Sequence, residues 1–185
     1  MTILAYDELL TLIDQGVITG VTDEDVNGTS IDVHLGGSFL LEQLPIQDSF
    51  GPRIVDLAAR QSPSMNSYSI PAGRAIDLLP GQFMLGCTRE IFNLPHDLSA
   101  QFLLKSSVAR AGLSHALATW ADPGWHGSTL TLELHNLLSH HTLRLTVGMP
   151  IGQMIFHRHA PVPAHASYVA RGRYNNDPQV QPQKL

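Results

Sequence analysis

Cysteine is nearly missing from this 185-residue sequence: Cys87 stands alone. That excludes a disulfide scaffold, a cysteine-rich zinc site and an iron–sulfur cluster held by one chain. Charged residues are scarce at 15% and aromatics at 6%, yet 43% of the chain is hydrophobic. Such a composition lies far from the highly charged, weakly apolar signature of disorder. No apolar run approaches the roughly 18 residues of a membrane span. The start, MTILAYDELL, lacks the basic residues and apolar stretch of a secretion signal. These absences lead us to expect no membrane association and a reducing, cytoplasmic setting. What is present suits one globular domain over residues 1–185, large enough to bury a core without covalent staples.

The net charge of −5 argues against a general nucleic-acid binder, but the charge is unevenly spread. Residues 1–97 hold thirteen acids against four bases, a balance of −9. Residues 98–185 hold three acids against seven bases, a balance of +4. A basic half on an acidic chain suits a compact anionic ligand such as a phosphate; chance segregation of surface charge gives the same pattern.

Residues 4–15 read as an amphipathic helix, with Leu9, Leu10, Ile13 and Val17 on one stripe. Asn27-Gly28 marks a turn, and a period-2 segment follows: Ile31, Val33 and Leu35 on one face, Asp32 and His34 on the other. Residues 43–75 read as a long loop with short strands. From residue 76 short strand candidates recur between Pro/Gly turns, so the expected fold is mainly β, a distorted barrel or jelly-roll rather than βαβ units. One short helix near 106–111 interrupts them. The stretch from about 160 to 185 lacks periodicity and reads as a flexible tail, disordered or ordered only on binding.

Three constellations carry chemistry. In Lys105-Ser106-Ser107-Val108-Ala109-Arg110, hydroxyls open a short helix between two cations, an arrangement that suits phosphate or carboxylate; an ordinary serine cap with two solvated charges looks the same. In Thr131-Leu132-Glu133-Leu134-His135-Asn136, alternation sets an acid opposite a leucine face. Facing a pocket it would be a proton shuttle, facing water a solubilising residue. In Asp122-Pro123-Gly124-Trp125 a tight turn presents an acid. His140, His141, His157 and His159 read as loop or packed residues rather than metal ligands.

In order, these pieces resemble the dCTP deaminase / dUTPase family. The resemblance runs through Thr29-Ser30-Ile31-Asp32-Val33-His34-Leu35-Gly36, Leu79-Pro80-Gly81-Gln82-Phe83, Ser106-Ser107-Val108-Ala109-Arg110-Ala111-Gly112-Leu113, Asp122-Pro123-Gly124-Trp125 and Leu130-Thr131-Leu132-Glu133-Leu134-His135-Asn136. It closes with Gly148-Met149-Pro150-Ile151-Gly152-Gln153 and with Tyr168 and Gly172-Arg173-Tyr174. The Ser-Ser-x-Ala-Arg turn and the Leu-Glu-Leu-x-Asn strand are similar to the deaminase branch.

The resemblance implies a homotrimer with active sites between subunits and no zinc. Water would be activated by Glu133, with Ser106 and Arg110 orienting it for deamination of dCTP to dUTP and ammonia. Lys105, Ser106, Ser107 and Arg110 would meet the triphosphate, on which Mg²⁺ is carried. Asp122 would contact the deoxyribose, Thr131, Leu132 and Glu133 the base, and Gln153, Tyr168 and Arg173 further parts of the nucleotide, the last two from the closing tail. The resemblance also covers a bifunctional deaminase forming dUMP and a dUTP pyrophosphatase. A nucleotide-sensing regulator without catalysis is the remaining alternative. The chain departs from the family where Lys105 stands in place of arginine and where residues 115–121 are one residue short.

Overall fold

The computed structural model describes residues 1–43, 54–116 and 118–184. The chain opens with helix α1 (Tyr6–Asp14), where the Glu8 carboxylate accepts the Ala5 N–H at 3.2 Å and Asp7 and Glu8 complement the helix dipole. Gly16 follows at φ 68°, a left-handed value that stops the helix. Leu9, Leu12 and Val17 are buried. Leu12 therefore takes the core position that the expected stripe gave to Leu10.

Beyond α1 the fold is mainly β, as the sequence implies. Among the described residues the strands form four antiparallel sheets, open rather than closed into a ring. In the first, Pro150–Arg158 runs between Leu98–Leu104 and, on its other side, Thr2–Ile3 and Ile31–His34; Trp120–Ala121 flanks Leu98–Leu104. The second orders Leu113–His115, Thr131–Asn136, Phe83–Cys87, Ser38–Glu42 and Met65–Ser69. Smaller sheets join His126–Ser128 to Ile91–Asn93 and Ile18–Thr19, and Leu143–Thr146 to Ala75–Leu78. The alternation of Ile31, Val33 and Leu35, and of Leu130, Leu132 and Leu134, places all six in the core with Phe39, Phe92, Phe102 and Phe156. Burial pushes the Cys87 thiol up, so it packs as a small hydrophobe.

Three features depart from the simple strand picture. His34 is buried although its strand position predicts the opposite face, because it pairs with the fully buried Glu90 (2.9 Å). Within the loop expected over 43–75, Met65–Ser69 pairs with Ser38–Glu42; residues 44–53 of that loop lie outside the described residues. The segment after Ala160 carries a short helix, α3 (Tyr168–Arg171), and packs back on the chain through Ser167 and Val180, both buried. Among the described residues no helix is long and apolar enough to cross a membrane.

Candidate active site

Strand Thr131–Asn136 positions the acid. Its ladder with Phe83–Cys87 sets Glu133 opposite Leu85 and Thr131 opposite Cys87, so Thr131, Glu133 and His135 share the face away from the core. Asn136 ends the strand: fully buried, its amide donates to the carbonyls of Leu78 and His141, both at 2.9 Å, and its oxygen accepts the Leu138 N–H. An asparagine satisfies three backbone groups there, which explains its place in the motif.

The Glu133 face opens on a cavity of about 420 Å³, the size class of small-molecule sites. Two carboxylates, Glu133 and Asp122, reach it, with Thr129 and Thr131 beside them. Its aromatic wall is Phe83, Trp120, Trp125, Tyr168 and Tyr174. Asp122 accepts the Trp120 indole N–H at 3.1 Å, which orients both side chains. Burial pushes the Tyr168 hydroxyl up, keeping it a proton-bearing donor.

The C-terminal segment forms part of this wall. Tyr174 O accepts the Trp125 indole at 2.7 Å and the Ser128 hydroxyl at 2.8 Å. Asp177 N–H donates to Ser128 Oγ, and Thr129 N–H to Asp177 O. Gly127, at φ 64°, lets Asn176 approach where a Cβ would meet its Oδ1 at 2.4 Å. Gln181, Pro182 and Gln183, with Ser62 and Pro63, also line the cavity.

The acid also has a basic neighbour. His115, the last residue of Leu113–His115, brings Nε2 to 3.0 Å from Glu133 Oε2. The contact is not aligned as a hydrogen bond: both His115 nitrogens and Glu133 Oε2 are buried without a hydrogen-bond partner.

The structure brings together Asp122, Thr131, Glu133 and Tyr168 of the sequence-predicted residues. Leu132 directs its side chain into the core, leaving only its backbone on the strand. Lys105 is the residue before helix α2 (Ser106–Arg110) and ion-pairs with Asp32 of its own chain. Ser106, Ser107 and Arg110 are exposed and not among the cavity's lining residues. The serines expected to cap α2 do not: Lys105 is the N-cap, and five residues make too short a helix for a large dipole. Gln153 Oε1 accepts the Ser30 hydroxyl, and Arg173 donates to Lys184 O; neither lines the cavity. Trp120, Tyr174 and His115 are not named as site residues by the sequence motifs, although the resemblance sets the 115–121 segment beside the base. Tyr174 reaches the cavity only because the C-terminal segment docks there, and Trp120 reaches it from the strand Trp120–Ala121 that leads into Asp122. His115 carried a signal in the shortened 115–121 segment, of which Leu117 lies outside the described residues.

A β-fold that sets an acid from mid-strand into an aromatic, nucleoside-sized cavity defines a class of small-molecule binding or hydrolytic proteins. The comparisons narrow it. A family model described as dCTP deaminase-like matches residues 3–159, and the chain belongs to that family. It is 35% identical over 133 residues to the dUMP-forming dCTP deaminase of Methanosphaerula palustris, covering 71% of this chain and 67% of the relative. It is 37% identical over 139 residues to the dCTP deaminase of Shewanella baltica, covering 73% and 71%. A solved 2′-deoxycytidine 5′-triphosphate deaminase from Agrobacterium tumefaciens shares the fold at TM-score 0.62 and 21% identity. The match covers 83% of this chain, which spans about half (47%) of that solved one.

Proposed function

We propose that this chain deaminates dCTP, with Glu133 as the base. The observation that carries the reading is the placement of Glu133 in the wall of the 420 Å³ cavity beside Asp122, Thr131 and Tyr168. Glu133 takes a proton from a water whose oxygen attacks C4 of cytosine. That proton goes to ring N3, the second passes from the new C4 hydroxyl to the amino group by way of Glu133, and the C4–N bond breaks, so that dCTP and water give dUTP and ammonia. Mg²⁺ enters as part of the substrate, on the triphosphate, and the chemistry at C4 needs no zinc.

The same cavity supports a site shared between copies. Its described lining residues include two carboxylates and no lysine or arginine. A triphosphate cannot be held by acids alone, so its cations come from elsewhere. Ser106, Ser107 and Arg110 are exposed on α2 and suited to reach a neighbour's cavity, with Ser106 and Arg110 orienting the water and base. Lys105 would have to leave Asp32 to join them. We therefore read the active form as the family's homotrimer.

Asp122 favours one extension of this reading. Asp122 lines the same cavity, and in this extension its carboxylate directs another water to the α-phosphate, converting dUTP to dUMP and pyrophosphate. Incubation with dCTP and Mg²⁺, with ammonia, dUTP, dUMP and pyrophosphate measured and molar mass followed by light scattering, tests all of this. Glu133→Gln should retain dCTP binding and lose deamination, because an amide cannot take the water's proton. Deamination by that variant at the parent rate would remove Glu133 as base. Turnover of dUTP alone would mark a pyrophosphatase, and tight nucleotide binding without any turnover a sensor.

A further inference from the structure

We infer that His115 is a positioning residue for the Glu133 carboxylate, an inference that rests on Glu133 being the base proposed above. The His115 side chain is 4% exposed, and neither ring nitrogen has a hydrogen-bond partner among the described residues. Burying two polar nitrogens unpaired is costly, and an apolar side chain would pack against Phe102, whose ring centroid lies 4.9 Å away, without that cost. Among the described residues the carboxylate within reach is Glu133, with Nε2 and Oε2 3.0 Å apart. The chain just beyond is fixed as well: Ala116 N–H donates to Glu133 O at 3.0 Å, tying the end of His115's strand to the backbone of the acid.

A small rotation of either side chain aligns this contact. His115 Nε2–H then donates to Oε2 and holds one carboxylate oxygen at the cavity's inner edge. The other oxygen is left free to face the water. A glutamate has three side-chain torsions, and without a fixed partner its carboxylate samples orientations that miss the reacting water. His115 itself does not line the cavity, and it gives up no proton in the cycle. It acts through Glu133.

The test compares His115→Phe, which keeps a ring against Phe102 but removes the donor, with His115→Gln, which keeps a donor. We expect His115→Phe to lower kcat at least about tenfold, a small part of the roughly 10²–10⁴ that a positioned proton-transfer group contributes. KM and the dCTP Kd should stay within about twofold, since His115 does not touch substrate. His115→Gln should recover part of kcat. In the parent protein the His115 Nε2 NMR resonance should move on Glu133→Gln substitution, a reading that needs no His115 variant to fold. Parent-like kcat in both His115 variants overturns the inference. So does a joint fall of kcat, dCTP binding and Tm in both, which marks a packing role, or an Nε2 resonance indifferent to Glu133→Gln. If Glu133→Gln is itself active, the proposed base is wrong; if it is inactive while His115→Phe is normal, only the positioning role fails.

Discussion

Glu90 is a buried carboxylate tied to His34 through both oxygens, and removing it tests how strand Ile31–His34 is held. Its side chain is fully buried. Oε2 accepts the His34 backbone N–H at 2.9 Å, and Oε1 lies 2.9 Å from His34 Nδ1. The imidazole sits between this carboxylate and Arg89, whose Nη2 lies 3.0 Å from the same Nδ1. On its other side Nε2 lies 3.5 Å from Asp25. Arg89 Nη2 approaches Glu90 Oε1 at 3.3 Å while donating to Gly20 O at 2.8 Å. Glu90→Ala takes the carboxylate away from the His34 N–H and from the Nδ1 side of its ring and leaves a void. Losing a fully buried carboxylate together with its hydrogen bonds costs about 3–5 kcal/mol. In a chain of this length each kcal/mol moves Tm by roughly 2–4 °C, so a fall of about 6–20 °C is expected. Glu90→Gln keeps the shape and one acceptor, exchanges charged hydrogen bonds for neutral ones, and should cost only about 1–2 kcal/mol. Urea unfolding at fixed protein concentration, with m unchanged, measures both. A Glu90→Ala cost below about 1 kcal/mol, or equal costs for the two variants, would refute this account.

Two further expectations concern the remaining sheet and the C-terminal segment. Burial, with a smaller repulsion from His159, holds the His157 imidazole below its ordinary value of 6.5, and its ring stacks on Trp120 at 5.5 Å. The unfolded chain takes up that proton first, so His157 contributes stability above about pH 6.5 that is lost as pH falls through the lower native value. His157→Phe should flatten the fall in Tm below pH 6.5, and an unchanged pH profile would show that His157 is not its source. Val180 anchors the C-terminal segment against Leu40, Cys87, Met65 and Leu85. Val180→Ala removes two buried carbons and should weaken docking by about 1–2 kcal/mol. Amide exchange over 174–184 should accelerate about tenfold while that of 98–104 stays unchanged; unchanged exchange over 174–184 would mean that Val180 is no anchor.

The parts of the site legible in the sequence were those written in local pattern. Leucines at every second position place Glu133 on the opposite face whatever lies above it, and Asp-Pro-Gly makes a turn that presents Asp122 in any context. The Glu90–His34 pair gave no such signal, because alternation predicts exposure for His34 and the partner that reverses it lies 56 residues away. The C-terminal segment was unreadable for a related reason. Few of its residues follow a period; what orders it is hydrogen bonding to Trp125, Ser128 and Thr129 and a single apolar anchor, Val180.

The sequence by itself determined the mainly β fold, the faces of its strands and the residue types available for proton transfer and phosphate binding, because side-chain period and turn chemistry act over a few residues. Only the tertiary structure decided which of those residues meet. It put Glu133, Asp122, Thr131 and Tyr168 on one cavity, set α2 and its Arg110 apart from that cavity, and brought His115 to the carboxylate of Glu133. Such meetings are fixed by ladder register and by packing between segments distant in the chain, where desolvation and pairing depend on every neighbour at once.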